Sequence, residues 1–206
     1  MAIPRLIAAA ALLLFTLCCV TTGPVPDGGL GERVERWVSV TSTTGAHDTF
    51  CSGVILETGL VLTAAHCWGE KVEVGGKEAL VLKRAVESDL MLLQAITDEF
   101  LPIELYLNVP AGLSVFFVRP IYPINTVSVG FGKVTGWIDG DIMVNEQSWP
   151  GTSGTGFWAY DGRLVGILSA SFNGIILTKG VSAKKIKAFL EGVTNPPKTP
   201  EESTDF

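Results

Sequence analysis

Beyond residue 20, apolar residues in this chain come in short runs that glycine, proline, asparagine or aspartate soon interrupts. With 23 Gly and 11 Pro in 206 residues, long helices have little room, and short strands joined by turns are favoured. Val34, Trp37, Val38 and Val40 suggest a strand reaching about residue 43. Residues 50–56 and 60–63 read as two strands joined by the turn Glu57-Thr58-Gly59. Residues 72–82 read as a hairpin around Gly75-Gly76, and 90–95 as a short buried strand. Residues 96–113 read as the join between two halves. The runs 115–118, 126–129, 134–138 and 141–145 are separate short strands on this pattern. Asp161-Gly162 is a hairpin signal between 157–160 and 164–169, and 174–177 is a further strand. Only 183–193 carries helical spacing, through Ile186, Phe189, Leu190 and Val193. The fold class is therefore all-β with a short C-terminal helix.

The N-terminus has the form of a targeting segment. Arg5 precedes an apolar run over 6–20, which is shorter than the roughly 20 residues a membrane span needs. A signal peptide over 1–23 is the natural reading, which makes the protein secreted or periplasmic. Lipid modification of Cys18 or Cys19, or an uncut N-terminal anchor through 6–20, are the alternatives, and either would associate the chain with a membrane. Residues 24–33 are Gly/Pro-rich and read as a linker, and 194–206 as a disordered acidic tail. Losing residues 1–23 removes Arg5 and no acid, so the net charge moves from −6 to −7. No basic face for nucleic acid is expected. Nothing in the sequence calls for a cofactor.

Outside the leader only Cys51 and Cys67 remain. An even pair in an exported chain reads as a disulfide, with two buried thiols as the bland alternative. Two cysteines and a neighbouring histidine fall short of the four ligands a structural zinc takes, so no metal is expected.

A serine becomes a useful nucleophile only beside a base, and the base needs an orienting group. The chain has two histidines. His47 sits beside Asp48 in a polar turn and reads as a solvated residue. His66 lies in Thr63-Ala64-Ala65-His66-Cys67 and is the base candidate, although a buried core histidine would look similar in isolation. Ser153 lies in Pro150-Gly151-Thr152-Ser153-Gly154-Thr155-Gly156. Its flanking glycines allow a sharp turn, and such a turn can aim the N–H groups of Gly151 and Ser153 at one point, forming an oxyanion hole. Taken alone, the same segment could be a plain surface turn. Among the acids between His66 and Ser153, Asp89 stands directly before the apolar run Leu90-Met91-Leu92-Leu93, with Glu87 and Asp98 as fallbacks.

The segment Cys51–Cys67 with its terminal Ala-Ala-His-Cys, Asp89-Leu-Met-Leu-Leu and Gly-Thr-Ser-Gly together resemble the trypsin/chymotrypsin-like serine proteases. Asp161-Gly-Arg-Leu-Val-Gly-Ile-Leu-Ser169 resembles the strand pair after the nucleophile in their HtrA-type relatives. The resemblance covers roughly 34–193. It implies two six-stranded antiparallel β-barrels, at about 34–98 and 112–181, followed by the helix 183–193. It also implies a hydrolase, a serine endopeptidase with catalytic His66, Asp89 and Ser153, the Gly151 and Ser153 amides as oxyanion hole, and a Cys51–Cys67 disulfide tying the histidine's loop down. The partner it implies is a polypeptide substrate. A substrate pocket near Gln147, Trp149, Ser169, Ala170 and Ser171 follows from the same pattern, with no acid there to select Lys or Arg. A catalytically inactive binding protein on the same fold is the competing reading. An esterase of the nucleophile-elbow kind would order its residues Ser, acid, His, whereas this chain runs His, Asp, Ser.

Two positions depart from the family pattern. Thr152 stands where trypsin-like zymogens carry an Asp that binds a freed N-terminal amine, so activation by N-terminal trimming is not expected. Thr155 stands where Gly usually follows Ser-Gly. HtrA-type enzymes often carry a PDZ domain after the protease, and none is expected in the short tail here.

Overall fold

The computed structural model describes residues 30–121, 126–172, 176–191 and 193. The leader, residues 24–29 of the expected linker, and the tail lie outside the described residues. Among the described residues no helix is long and apolar enough to cross a membrane.

Helix α1 (Leu30–Glu35) leads into β1 (Trp37–Thr44), β2 (His47–Glu57), β3 (Leu60–Thr63), β4 (Lys71–Val74), β5 (Lys77–Glu78), β6 (Leu80–Ala85) and β7 (Leu90–Gln94). The second half contains β8 (Ser114–Ile121), β9 (Thr126–Ile138), β10 (Asp141–Val144), β11 (Gly156–Ala159), β12 (Leu164–Ser171), β13 (Thr178–Ser182) and helix α2 (Ala183–Leu190). The all-β class with a terminal helix is borne out. Strands β8–β13 close into the expected six-stranded barrel, in the order β10-β13-β12-β11-β8-β9. The N-terminal half is a curled seven-stranded sheet, β5-β4-β1-β2-β3-β7-β6, instead of a closed six-stranded ring. Its end strand β5 is two exposed charged residues, too short to offer β6 a partner.

Four local expectations change. Residues 30–33 of the expected linker belong to α1, where Glu32 pairs with Arg33 and Arg36, and Arg33 lies over the Trp158 ring. The expected strands 126–129 and 134–138 form one strand, β9. The glycines between them are places of close packing, not turns: Phe117 and Arg119 lie within 2.8 Å of where a Gly130 side chain would begin. The strand expected at 174–177 falls partly outside the described residues, and β13 begins at Thr178. Helix α2 runs Ala183–Leu190, shorter than the expected 183–193.

Three packed clusters explain why the strands are continuous apolar runs. Side chains on a strand alternate between faces. In β7, Met91 and Leu93 face the core of the N-terminal sheet, with Val40, Ile55 and Val61. Leu90 and Leu92 face the other way, into a cluster shared with Phe116, Trp158, Leu164 and Ile167 of the barrel and with Ile186 and Phe189 of α2. The barrel has its own core around Phe117, Ile142, Phe157 and Leu168. A strand buried on both faces has no polar side, which gives the unbroken Leu-Met-Leu-Leu. Its first residue therefore emerges at the seam between the two halves, immediately after Asp89.

Candidate active site

His66 is placed by a single 3₁₀ turn, Ala65–Cys67, that follows β3. Cys67 forms a disulfide with Cys51 of β2. From β6, Arg84 donates its Nε–H to the Ala65 carbonyl at 3.0 Å and lies over the Trp68 ring. The turn is thus held on both sides of the histidine. Cys51, His66 and Cys67 would suit a metal by proximity, but both sulfurs are used in the disulfide, leaving one ligand.

Asp89 closes the turn before β7 in a left-handed conformation, φ 52°. Aspartate tolerates this region better than most residues. The conformation turns the carboxylate back under His66. The His66 backbone N–H donates to Asp89 Oδ1 at 3.0 Å, and His66 Nδ1 lies 3.0 Å from Oδ1 and 2.9 Å from Oδ2. Ser169 of β12 donates its hydroxyl to Oδ2 at 2.5 Å. Burial pushes the Asp89 carboxyl upward, but the hydrogen bonds from His66 and Ser169 and the His66 charge together outweigh it. The carboxyl is held below its ordinary range. An ionised carboxylate only accepts hydrogen bonds, so Nδ1 carries a proton, and in the neutral imidazole the lone pair is then on Nε2. The side chains are 46% exposed for His66 and 21% for Asp89, so the imidazole is open to solvent while the carboxylate is shielded.

Ser153 arrives from the barrel half, in a turn stitched to β2. Its carbonyl accepts from the Ser52 N–H at 2.8 Å, and the Ser52 hydroxyl donates to the Gly151 carbonyl at 2.7 Å. The Trp37 indole in turn donates to the Ser52 oxygen at 2.9 Å. Gly154 sits so close to β2 and β3 that an added Cβ would lie 2.1 Å from the Ser52 carbonyl and 2.4 Å from Thr63 Oγ1. Only glycine fits there, and the turn that carries Ser153 therefore rests against Ala64, two residues before His66. The Thr152 N–H bonds the Trp149 carbonyl at 3.1 Å, and Gly151 has φ 88°. Those are the marks of a type II turn, which requires positive φ at its third residue. In this turn neither the Gly151 nor the Ser153 N–H has a hydrogen-bond partner among the described residues. The Ser153 hydroxyl is likewise unpaired there, as catalytic hydrogen bonds often are before substrate tightens them.

Thr155 adds its side chain away from the cleft. It is buried, and its hydroxyl donates to the Val118 carbonyl at 2.9 Å. A cleft of about 400 Å³ beside Ser153 is lined by Gln147, Trp149, Ala170 and Ser171, with Leu168 and Phe172, and no lining residue is charged. Of the residues expected there, Ser169 alone is absent from the lining, because its hydroxyl turns to Asp89. His47 stands exposed at the start of β2 and takes no part. Sequence reasoning missed Ser52 and Arg84. Their only signals are adjacency to Cys51 and a cation in an otherwise ordinary strand.

Residues 30–99 match the Trypsin family model. Two solved structures share the architecture. A serine endoprotease from Yersinia pestis superposes with TM-score 0.70 at 21% identity, covering 80% of this chain and 64% of that one. The Rv3671c protease from M. tuberculosis, in its active form, superposes with TM-score 0.70 at 16% identity, covering 84% and 86%. The fold is trypsin-like. The expected chymotrypsin-like arrangement is thus found along both halves of the chain, and the chain spans 64% of the Yersinia pestis protein's length.

Proposed function

We propose that this chain is an exported serine endopeptidase working through an acyl-enzyme. The observation that carries the reading is the His66–Asp89 pair, in which both carboxylate oxygens address Nδ1. That pairing leaves Nε2 free to act as base. In the proposed sequence Ser153 Oγ attacks the substrate carbonyl and gives its proton to His66 Nε2. The Gly151 and Ser153 N–H groups hold the oxyanion. His66 then returns the proton to the leaving amine, and water, activated by the same imidazole, releases the acyl group. The uncharged cleft supports substrates with an uncharged side chain at the position before the cut bond. The disulfide and the apolar leader support export to an oxidising compartment, either free or held by residues 6–20.

The test is a fluorophosphonate probe applied to the full chain, kept soluble in mild detergent, with Ser153→Ala as control. Labelling of the wild type and not of the variant is expected. A folded wild-type chain that stays unlabelled would point instead to an inactive protein that binds without cleaving.

A further inference from the structure

The nucleophile's turn is tied to itself by a side chain that has no assigned role. Thr152 is 1% exposed. Its hydroxyl donates to the Trp149 carbonyl at 2.6 Å and accepts from the Trp149 N–H at 3.3 Å. Together with its own N–H, it fastens one end of the turn to the other at three points. Between those points lies Gly151, whose φ of 88° belongs to the closed turn. Opening the turn between Trp149 and Thr152 would release Gly151 from that conformation and leave its N–H without a fixed direction. The hydroxyl holds the turn closed. From the other side, Ser52 holds the Gly151 carbonyl.

We propose that Thr152 is a positioning residue whose hydroxyl keeps the oxyanion turn in its competent form. This inference rests on the proposed peptidase reading. Thr152 borders the cleft beside Ser153 but is buried, and its hydroxyl is spent on Trp149, so it acts through the turn that carries the Gly151 and Ser153 amides. Two hydrogen bonds of ordinary net strength, made in the closed turn and lost in an open one, favour the closed turn by roughly 10- to 100-fold. Only the competent fraction reacts.

The experiment compares fluorophosphonate labelling rates of wild type, Thr152→Val and Thr152→Ser, all in the full chain. Valine keeps the shape and removes the hydroxyl, whereas serine keeps the hydroxyl. Thr152→Val is expected to label about 10- to 100-fold more slowly while folded, and Thr152→Ser within about threefold of wild type. Equal rates for wild type and Thr152→Val overturn the proposal. So does a loss in Thr152→Ser as large as in Thr152→Val, which would assign the effect to packing of the methyl group. Should the valine variant not fold, amide exchange in the wild type decides. The Trp149 N–H is expected to exchange more slowly than those of Gly151 and Ser153, and equal exchange at all three contradicts the clamp. An unlabelled wild type is a failure of the peptidase reading itself, and is distinguished by that.

Discussion

Asp89 concentrates the residue-scale argument. Its sequence signal was an acid before a buried strand, and the structure puts that acid under His66 for a backbone reason, the left-handed φ of 52°. Asp89→Asn keeps a side chain that tolerates this conformation but can present an N–H to Nδ1 and favour the other tautomer. The expected outcome is a chain that still folds, less stable at neutral pH by about 1.5–3 kcal/mol, with turnover reduced by up to ~10⁴, read by labelling rate and urea unfolding together. Ser169 was legible only as a member of its segment, since nothing in the sequence says which way it faces. Ser169→Ala removes one of the bonds that depress the Asp89 carboxyl, so that group should titrate at higher pH than in wild type, as a carboxyl ¹³C NMR titration would show. Because the folded-state value is lowered, the stabilisation is fully present above the ordinary aspartate value of about 3.9 and is lost as pH falls through the folded value. Ser169→Ala should therefore cost about 1.5–3 kcal/mol at neutral pH and progressively less in acid. A pH-independent difference would mean that the hydroxyl matters for packing alone.

Elements were legible where both ends of a strand carry turn chemistry. β3 begins and ends where the pattern placed it, because Gly59 precedes it and the Ala-Ala-His turn follows. β9 was split in the sequence because its glycines resemble turn residues, and a glycine required by a neighbour's bulk looks no different in one dimension. Helix α1 was hidden for a related reason. Six residues are too few for a periodic signal, and its support is the distant Trp158 and its own ion pairs. The 3₁₀ turn bearing His66 is the shortest element and depends most on its fastenings. The Cys51–Cys67 link closes a loop of sequence separation 16. Reducing it should cost about 3 kcal/mol of stability while leaving the core strands folded. The measurement is urea unfolding with and without reductant. The labelling rate should also fall on reduction, since the turn then keeps only its hydrogen bonds to Arg84 and Asp89. An unchanged rate would show that those bonds suffice to hold it.

At the scale of the whole molecule, the candidate site is divided: His66 and Asp89 stand on the N-terminal sheet, and Ser153 and its turn on the barrel. The two-part organisation was foreseen from the family resemblance, but the join was not legible, because residues such as Leu92 and Trp158 are far apart in sequence and carry no mark of contact. The join is one buried cluster to which Val54, Leu62 and Leu92 contribute from the sheet, Phe116, Trp158 and Ile167 from the barrel, and Phe189 from α2. Each half has a core of its own, and this third cluster is buried only while the two are joined. Parting the halves would expose it, so they are expected to unfold in a single transition, with far-UV circular dichroism and labelling competence lost at the same urea concentration. Leu92→Ala tests the point directly. Leu92 is fully buried three residues from Asp89, and its truncation should cost about 2–5 kcal/mol. Both signals should shift to lower urea by the same amount. If labelling were lost well before secondary structure, the barrel and the sheet would be separable units, and the site would owe its geometry to the Ser52 and Ser169 hydrogen bonds across the seam more than to the shared core.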